Sequence, residues 1–246
     1  MNLLSEFNHF KKPQLFEKLS EESQKRILEC SVLKKYEKNR LLVQQGDTPK
    51  FVYLVMSGSL KTFRINDEGG EATIRMLEPG DTCMEAVMFM GGPSPINVQT
   101  LTESETLLIP ERIIKTLVFE DTQFSVNLLR IVTRHYKNAM HQIDAMNIKS
   151  PLQRIGYYFL LKHIEQGNES LEFKLPFKKQ MVANYLGMTP ETFSRSLKQM
   201  RSMGVTVEED KISLKDARSL CLFCDSDTAA LCADHNKEDC QFCLLH

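Results

Sequence analysis

The chain has 246 residues, of which 42% are hydrophobic and 26% charged, with a formal net charge of −1. That is enough apolar content for the core of one large domain or two ordinary ones. The balanced charge gives the whole molecule no general attraction to nucleic acid or to an anionic membrane. Residues Met1–Lys12 set Glu6 and His9 among apolar neighbours, unlike a signal peptide, and no apolar run approaches the roughly 18 residues of a membrane span. These features place the protein in the cytoplasm with no membrane partner, so its seven cysteines read as free thiols or metal ligands rather than as a disulfide framework.

Residues 1–35 are helical in pieces, with Ser20 as an N-cap before Glu21 and Glu22. From about Tyr36 to Pro110 short apolar runs such as Phe51–Met56 and Leu60–Ile65 alternate with turn signals. These are Gln45-Gly46-Asp47, Ser57-Gly58, Asn66-Asp67-Glu68-Gly69-Gly70, Glu78-Pro79-Gly80-Asp81 and Gly91-Gly92-Pro93. Spacings near ten residues predict a β-sandwich or barrel. The period then changes. Glu111 to Ser150 holds no Gly or Pro, and Leu129, Val132, Tyr136, Ala139, Ile143 and Met146 recur at 3-4 spacing. Such a seam suits a homodimeric coiled coil, or else an amphipathic helix packed on its own domain.

Ser150-Pro151 breaks the pattern. Residues 150–218 carry eleven cations against eight acids, a local +3, whereas from Ser219 on five acids face Lys237 alone, a local −4. Within the basic module, Val182, Tyr185 and Leu186 share one helical face, Gly187-Met188 forms a turn, and Thr189-Pro190-Glu191 opens a second helix. Its order is hydroxyl N-cap, Pro at N1 and acid at N2. Phe193, Leu197 and Met200 form the predicted buried stripe. Glu191, Ser194 and Arg195 fall on the opposite face, at the end where a recognition helix touches base edges. Arg can grip guanine with two bonds, Glu can accept from cytosine N4, and Ser can serve either way. Taken singly, Glu191 could serve only the helix dipole and Arg195 could be a solvated charge. The ordered set, with Gly204 and a hairpin wing at Thr206–Leu214 behind it, points to double-stranded DNA. Lys178, Lys179, Thr189 and Lys198 are the candidate backbone contacts.

Nearly the whole chain resembles the CRP/FNR superfamily of transcription regulators. The residues that carry the resemblance are Gln44-Gln45-Gly46-Asp47, Tyr53–Gly58, Leu77–Asp81, the long helix and Ala183–Arg195. The resemblance implies an α+β architecture. Residues 1–120 would form a cyclic-nucleotide-binding-like β-roll (a jelly roll) with a sensor role, and 121–149 a dimerisation helix. Residues 150–218 would form a winged helix-turn-helix, leaving 219–246 as a cysteine-rich tail. It also implies RNA polymerase as a partner and no enzymatic activity. Glu191-Thr192-Phe193-Ser194-Arg195 is similar to the FNR-type reading head, with Ser where CRP-type proteins carry Gly, which implies inverted repeats close to TTGAT-N4-ATCAA. Glu85–Met90 resembles the DNR branch, whose members respond to nitric oxide through haem. Against the cyclic-nucleotide pattern, Met84-Glu85 replaces Gly-Glu, and the later Arg-Ser pair falls at about Pro95-Ile96. No cation faces the phosphate there, so cyclic AMP is not expected as the effector.

The tail places Cys221, Cys224, Cys232, Cys240 and Cys243 within 23 residues, two pairs at CxxC spacing, so thiolates can converge on a soft metal centre. The resemblance to FNR-like regulators implies a [4Fe–4S] cluster sensing oxygen, nitric oxide or redox state. Those regulators usually hold it through N-terminal cysteines, which this sequence lacks, and only some use C-terminal ones. A disordered tail with incidental thiols is the plain alternative. A structural zinc site is the rival, and haem, for which His9, His135 and His141 are conceivable ligands, is a third option. A different class of function, a thiol–disulfide oxidoreductase working through the CxxC pairs, would require a preceding βαβ-type strand that the sequence lacks.

Overall fold

The computed structural model describes residues 13–166, 170–216 and 218–224, and the chain divides into two compact units, Met1–Ala139 and Met140–His246. The first unit opens with a 3-10 turn, Gln14–Phe16, and helix α1 (Glu21–Cys30), whose N-cap Ser20 accepts from Ser23 N. Strands β1 (Val32–Tyr36), β8 (Ser104–Pro110), β3 (Phe51–Ser57) and β6 (Thr82–Cys83) form one sheet in that order. β2 (Leu41–Val43), β7 (Asn97–Thr100), β4 (Leu60–Ile65) and β5 (Glu71–Leu77) form the other. The strands begin earlier than the turn signals suggest, because Val32–Tyr36 pairs with β8 along its full length.

The β1-β8-β3-β6 sheet is covered on both faces, which is why Phe51–Met56 reads as an unbroken apolar run. Val52, Leu54, Met56, Leu107 and Ile109 face the helices. Tyr53, Val55 and Leu108 face Val43, Leu60, Leu77 and Val98 of the second sheet. Each fully buried Leu or Val of this kind stabilises the fold by about 1.5–3 kcal/mol relative to exposure. A short helix, α2 (Glu85–Met90), interrupts the strands.

The Gly- and Pro-free run after Pro110 forms two helices rather than one: α3 (Glu111–Glu120) and α4 (Thr122–Ile148). The break is Asp121. Its backbone is extended, its Oδ1 accepts from Phe124 N at 3.0 Å, and its Oδ2 accepts from Ser23 Oγ of α1. These bonds, the Ser23 hydroxyl first, hold the Asp121 carboxyl below the ordinary carboxylate range. Inward, α4 buries Phe124, Leu128 and Ile131, and Asn127 Nδ2 donates to the carbonyls of Leu15 and Glu17. Outward lies the sequence-predicted seam: Leu129, Tyr136, Ala139, Ile143 and Met146 are exposed and Val132 is half-buried.

In the second unit α5 (Pro151–Glu165) starts with a full capping box, Ser150 and Gln153 satisfying each other's backbone N–H. Helices α6 (Lys179–Tyr185) and α7 (Pro190–Ser202) follow, with a sheet in the order β10 (Val205–Glu208), β11 (Lys211–Leu214), β9 (Glu172–Lys174). The third strand, β9, extends the expected hairpin. A 3-10 turn, Cys221–Phe223, closes the described chain.

Candidate nucleic-acid interface

Helix α6 buries Val182 and Ala183 and ends at a turn where Gly187 adopts φ +63°. A terminating helix leaves carbonyls without intrahelical partners. Here Arg154 supplies them: its Nη1 donates to Leu186 O at 2.9 Å and Gly187 O at 3.4 Å, while its Nε donates to Lys149 O. Gln142 Nε2 adds a bond to Tyr185 O at 2.9 Å. Arg154 is therefore a positioning residue that sets how the turn leads into α7. Sequence reasoning counted it only as one of the module's charges, and nothing in the local spacing marks its role.

At the start of α7, Thr189 Oγ1 accepts from Thr192 N at 3.2 Å, Pro190 occupies the first turn, and Glu191 supplies its acid. Phe193, Ser196 and Met200 are buried, whereas Leu197 is only half-buried. Ser196, between Phe193 and Met200, takes the place on the buried face that spacing assigns to Leu197. On the opposite face Glu191, Ser194, Arg195, Lys198 and Pro190 are all exposed and line one shallow depression. The Glu191 carboxyl lies below its ordinary range, held first by its own backbone N–H and then by the Thr189 hydroxyl. It is thus an ionised, acceptor-only group at neutral pH. Beside this face Thr189 and Lys178 are exposed, Lys178 at the start of α6, and Lys179 is half-buried. The wing carries Glu208, Glu209 and Asp210 at its tip, and Lys211 Nζ meets Glu172 Oε2 across β11 and β9 at 2.7 Å. The alternation Leu171-Glu172-Phe173-Lys174-Leu175 was the sequence signal for β9.

In the β-roll, Glu85 is 2% exposed and follows Met84, which takes a left-handed φ of +78° where such a backbone favours glycine. Glu85 Oε1 lies 2.9 Å from His135 Nδ1 on α4 and 3.9 Å from Arg75 Nη1 on β5. Arg75 Nη2 lies 2.8 Å from His135 Nε2 and also donates to Thr82 O. Arg75 Nη1 also lies 3.4 Å from His135 Nδ1, so one guanidinium faces both ring nitrogens. Burial alone would raise the Glu85 carboxyl, but the His135 hydrogen bond, its charge and Arg75 outweigh it and hold the carboxyl low. Sequence reasoning missed Arg75, ten residues before Glu85. His135, a conceivable haem ligand on sequence, has both ring nitrogens engaged in this cluster.

Of the tail cysteines, Cys221 and Cys224 are half-buried at the ends of the 3-10 turn, where Cys224 N donates to Cys221 O at 3.0 Å. Cys232, Cys240 and Cys243 lie outside the described residues, as does His9. Among the described residues no three His, Cys, Asp or Glu side chains gather in a metal-binding group. Burial pushes the Cys83 thiol far above its ordinary range, which disfavours the thiolate form.

Residues 33–121 match the cyclic nucleotide-binding domain family and residues 153–223 the Crp-like helix-turn-helix domain family. Curated relatives include an anaerobic regulatory protein of Pasteurella multocida (strain Pm70), 29% identical over 76% of this chain and 70% of its own length. Another is the transcriptional activator protein FnrA of Stutzerimonas stutzeri, 27% identical over 75% of this chain and 77% of its own. The chain belongs to the CRP/FNR family of transcription regulators. Solved CRP/FNR folds agree with its architecture. FixK2 from Bradyrhizobium japonicum superposes with a TM-score of 0.70 at 19% identity, over 80% of this chain and 98% of its own. A CooA mutant from Carboxydothermus hydrogenoformans gives 0.71 at 22% identity, over 91% of this chain and 95% of its own. As a CRP/FNR regulator the protein is a DNA-binding transcription factor and not an enzyme. No helix among the described residues is long and apolar enough to cross a membrane.

Proposed function

We propose that the protein is a cytoplasmic homodimer that reads FNR-type inverted repeats, close to TTGAT-N4-ATCAA, in response to oxygen, nitric oxide or redox state, and contacts RNA polymerase. The observation that carries the DNA reading is the exposed face of α7, where Glu191, Ser194 and Arg195 stand together unburied beside Lys198. Arg195 supplies the bidentate grip on guanine, ionised Glu191 accepts from cytosine N4, and Ser194 completes the step. Lys178, Lys179, Thr189 and Lys198 hold the phosphates, so they set salt dependence rather than sequence preference. The outward stripe of α4, with Leu129 and Tyr136 each 66% exposed in a single chain, supports pairing with a second copy.

For the signal, the donor chemistry favours the tail over the roll. Two thiols held at the ends of one turn are a fitting start to a thiolate-ligated centre, with Cys232, Cys240 and Cys243 as the further donors. A [4Fe–4S] cluster bound there would supply oxygen- and nitric-oxide-labile chemistry. In the roll, the carboxylate at the position of the cyclic-nucleotide Gly-Glu pair is already held by His135 and Arg75, which supports the reading that cyclic AMP is not the effector.

Anaerobic purification followed by iron, sulfide and zinc analysis, with anisotropy titrations of the palindrome and a scrambled duplex, tests this reading. Iron and sulfide near four each per chain, two chains per duplex and preference for the palindrome are expected. One zinc and no colour would make the tail structural, and equal affinity for both duplexes would overturn the assigned reading head.

A further inference from the structure

The residues that lead into the tail are not an appendage of the second unit but part of its core. Leu220 is fully buried, and Ser219 and Phe223 are nearly so. Phe223 lies flat on Gly156 in the middle of α5: a Cβ built at Gly156 would fall 2.2 Å from Phe223 Cγ and within 2.4 Å of both Cδ atoms. Glycine inside a helix is unfavourable relative to alanine, so its presence here needs a reason, and the ring is one. At the other end of the segment, a Cβ at Gly204 would meet Lys215 Cβ at 2.9 Å and Ser219 Oγ at 3.0 Å. Lys215 N donates to Gly204 O at 2.7 Å, and Asp216 N to Ser219 Oγ at 3.3 Å. Gly204 directly follows the C-terminal end of α7, and α5 packs on α7 as well as on the Cys221–Phe223 turn.

Cys221 and Cys224 bracket the very residues, Leu222 and Phe223, that lock this turn onto α5. Cys221 opens the turn and Cys224 directly follows Phe223, so a backbone change that resets the spacing of the two thiols acts on the residue seated on Gly156. Any change in the seating of α7 reaches the same turn through α5 and through Ser219. From this we infer that the Gly156–Phe223 contact is a coupling joint between the Cys221–Cys224 pair and the recognition helix, so that the chemical state of these thiols is felt by the DNA-reading unit without passing through the β-roll. The inference rests on the tail reading above only for the identity of the signal; the joint itself concerns residues of this chain. Gly156 and Phe223 are positioning residues, both buried in the second unit.

Coupling between two sites is reciprocal, which gives a test that needs no metal. In metal-free, reduced full-length protein, iodoacetamide labelling of Cys221 and Cys224 is followed by peptide mass spectrometry with and without saturating palindromic DNA, with Cys30 as the internal reference. A change of at least fivefold in their labelling rate on DNA binding is expected in the parent, falling below twofold in Phe223→Ala, which leaves α5 intact, and in Gly156→Ala. Circular dichroism and DNA titration of each variant establish that it folds and still binds. Should Gly156→Ala fail to fold, Phe223→Ala carries the test. An unchanged DNA effect in a folded Phe223→Ala, or no DNA effect in the parent, would overturn the joint. Metal analysis of the same preparations before stripping speaks separately to the tail reading: absent metal would sink that reading while leaving the labelling result to decide the joint.

Discussion

The β-roll and the DNA-reading unit use their charges in opposite ways. In the roll, Glu85 is sealed from water and made tolerable by His135 and Arg75, and Lys61, itself buried, is closed onto Glu71. On α7, Glu191, Arg195 and Lys198 stand in solvent, and Glu191 is held by the helix's own N-terminus and the Thr189 hydroxyl. A buried charge must be matched within the fold, so it contributes to shape and leaves little for a visitor. An exposed charge contributes little to stability and is available for recognition. The same residue types therefore mark structure in the roll and, on the function proposed above, recognition on α7.

The largest effect that sharpens this contrast should come from the roll. His135→Leu leaves the Glu85 carboxylate without its closest partner and is expected to lower stability by about 3 kcal/mol, read from the urea midpoint; a change below 1 kcal/mol would break the contrast. The pH dependence has a definite sign. Glu85 binds its proton less readily folded than unfolded, so its contribution is complete above the ordinary value of 4.5 and is lost as pH falls through the depressed folded value. Glu85→Gln should thus flatten the acid limb of a stability-versus-pH curve, and a curve as steep as the parent's would refute the assignment.

Next comes the reading face. Arg195→Ala is expected to cost about 1–3 kcal/mol on the palindrome and little on random DNA, with no shift in melting temperature. Equal losses on both duplexes in an anisotropy titration would make Arg195 a phosphate contact instead. Thr189→Ala removes the cap of α7 and should cost about 1 kcal/mol in thermal unfolding. Smallest of all, Lys211→Ala opens the exposed pair with Glu172 and should change stability by no more than about 0.5 kcal/mol.

Local chemistry explains which parts were legible in advance. The helix-turn-helix could be read because its signals, Gly187, Thr189-Pro190 and the apolar spacing of α7, act over one or two turns of chain. The strands of the roll were legible through their punctuating turns, and α4 through its stripe. What could not be read depends on residues far apart in sequence. Arg75, Glu85 and His135 meet only because β5, α2 and α4 converge, and Phe223 finds Gly156 only after α5, the wing and α7 have folded between them. Asp121 lies between these cases. It interrupts a pattern with no Gly or Pro to announce it, because an aspartate that gains the backbone of Phe124 and the hydroxyl of Ser23 can end one helix and begin the next.

That aspartate also acts as the zero mark of a ruler. Along α4 each residue adds 1.5 Å and about 100° of rotation, so pinning the first turn fixes the phase of everything beyond it. Phe124, Leu128, Ile131 and His135 then point into the roll at the same settings that send Leu129 and Tyr136 outward. One residue inserted between Asp121 and Phe124 would leave the composition of both faces intact and put each of them out of phase with what it must meet.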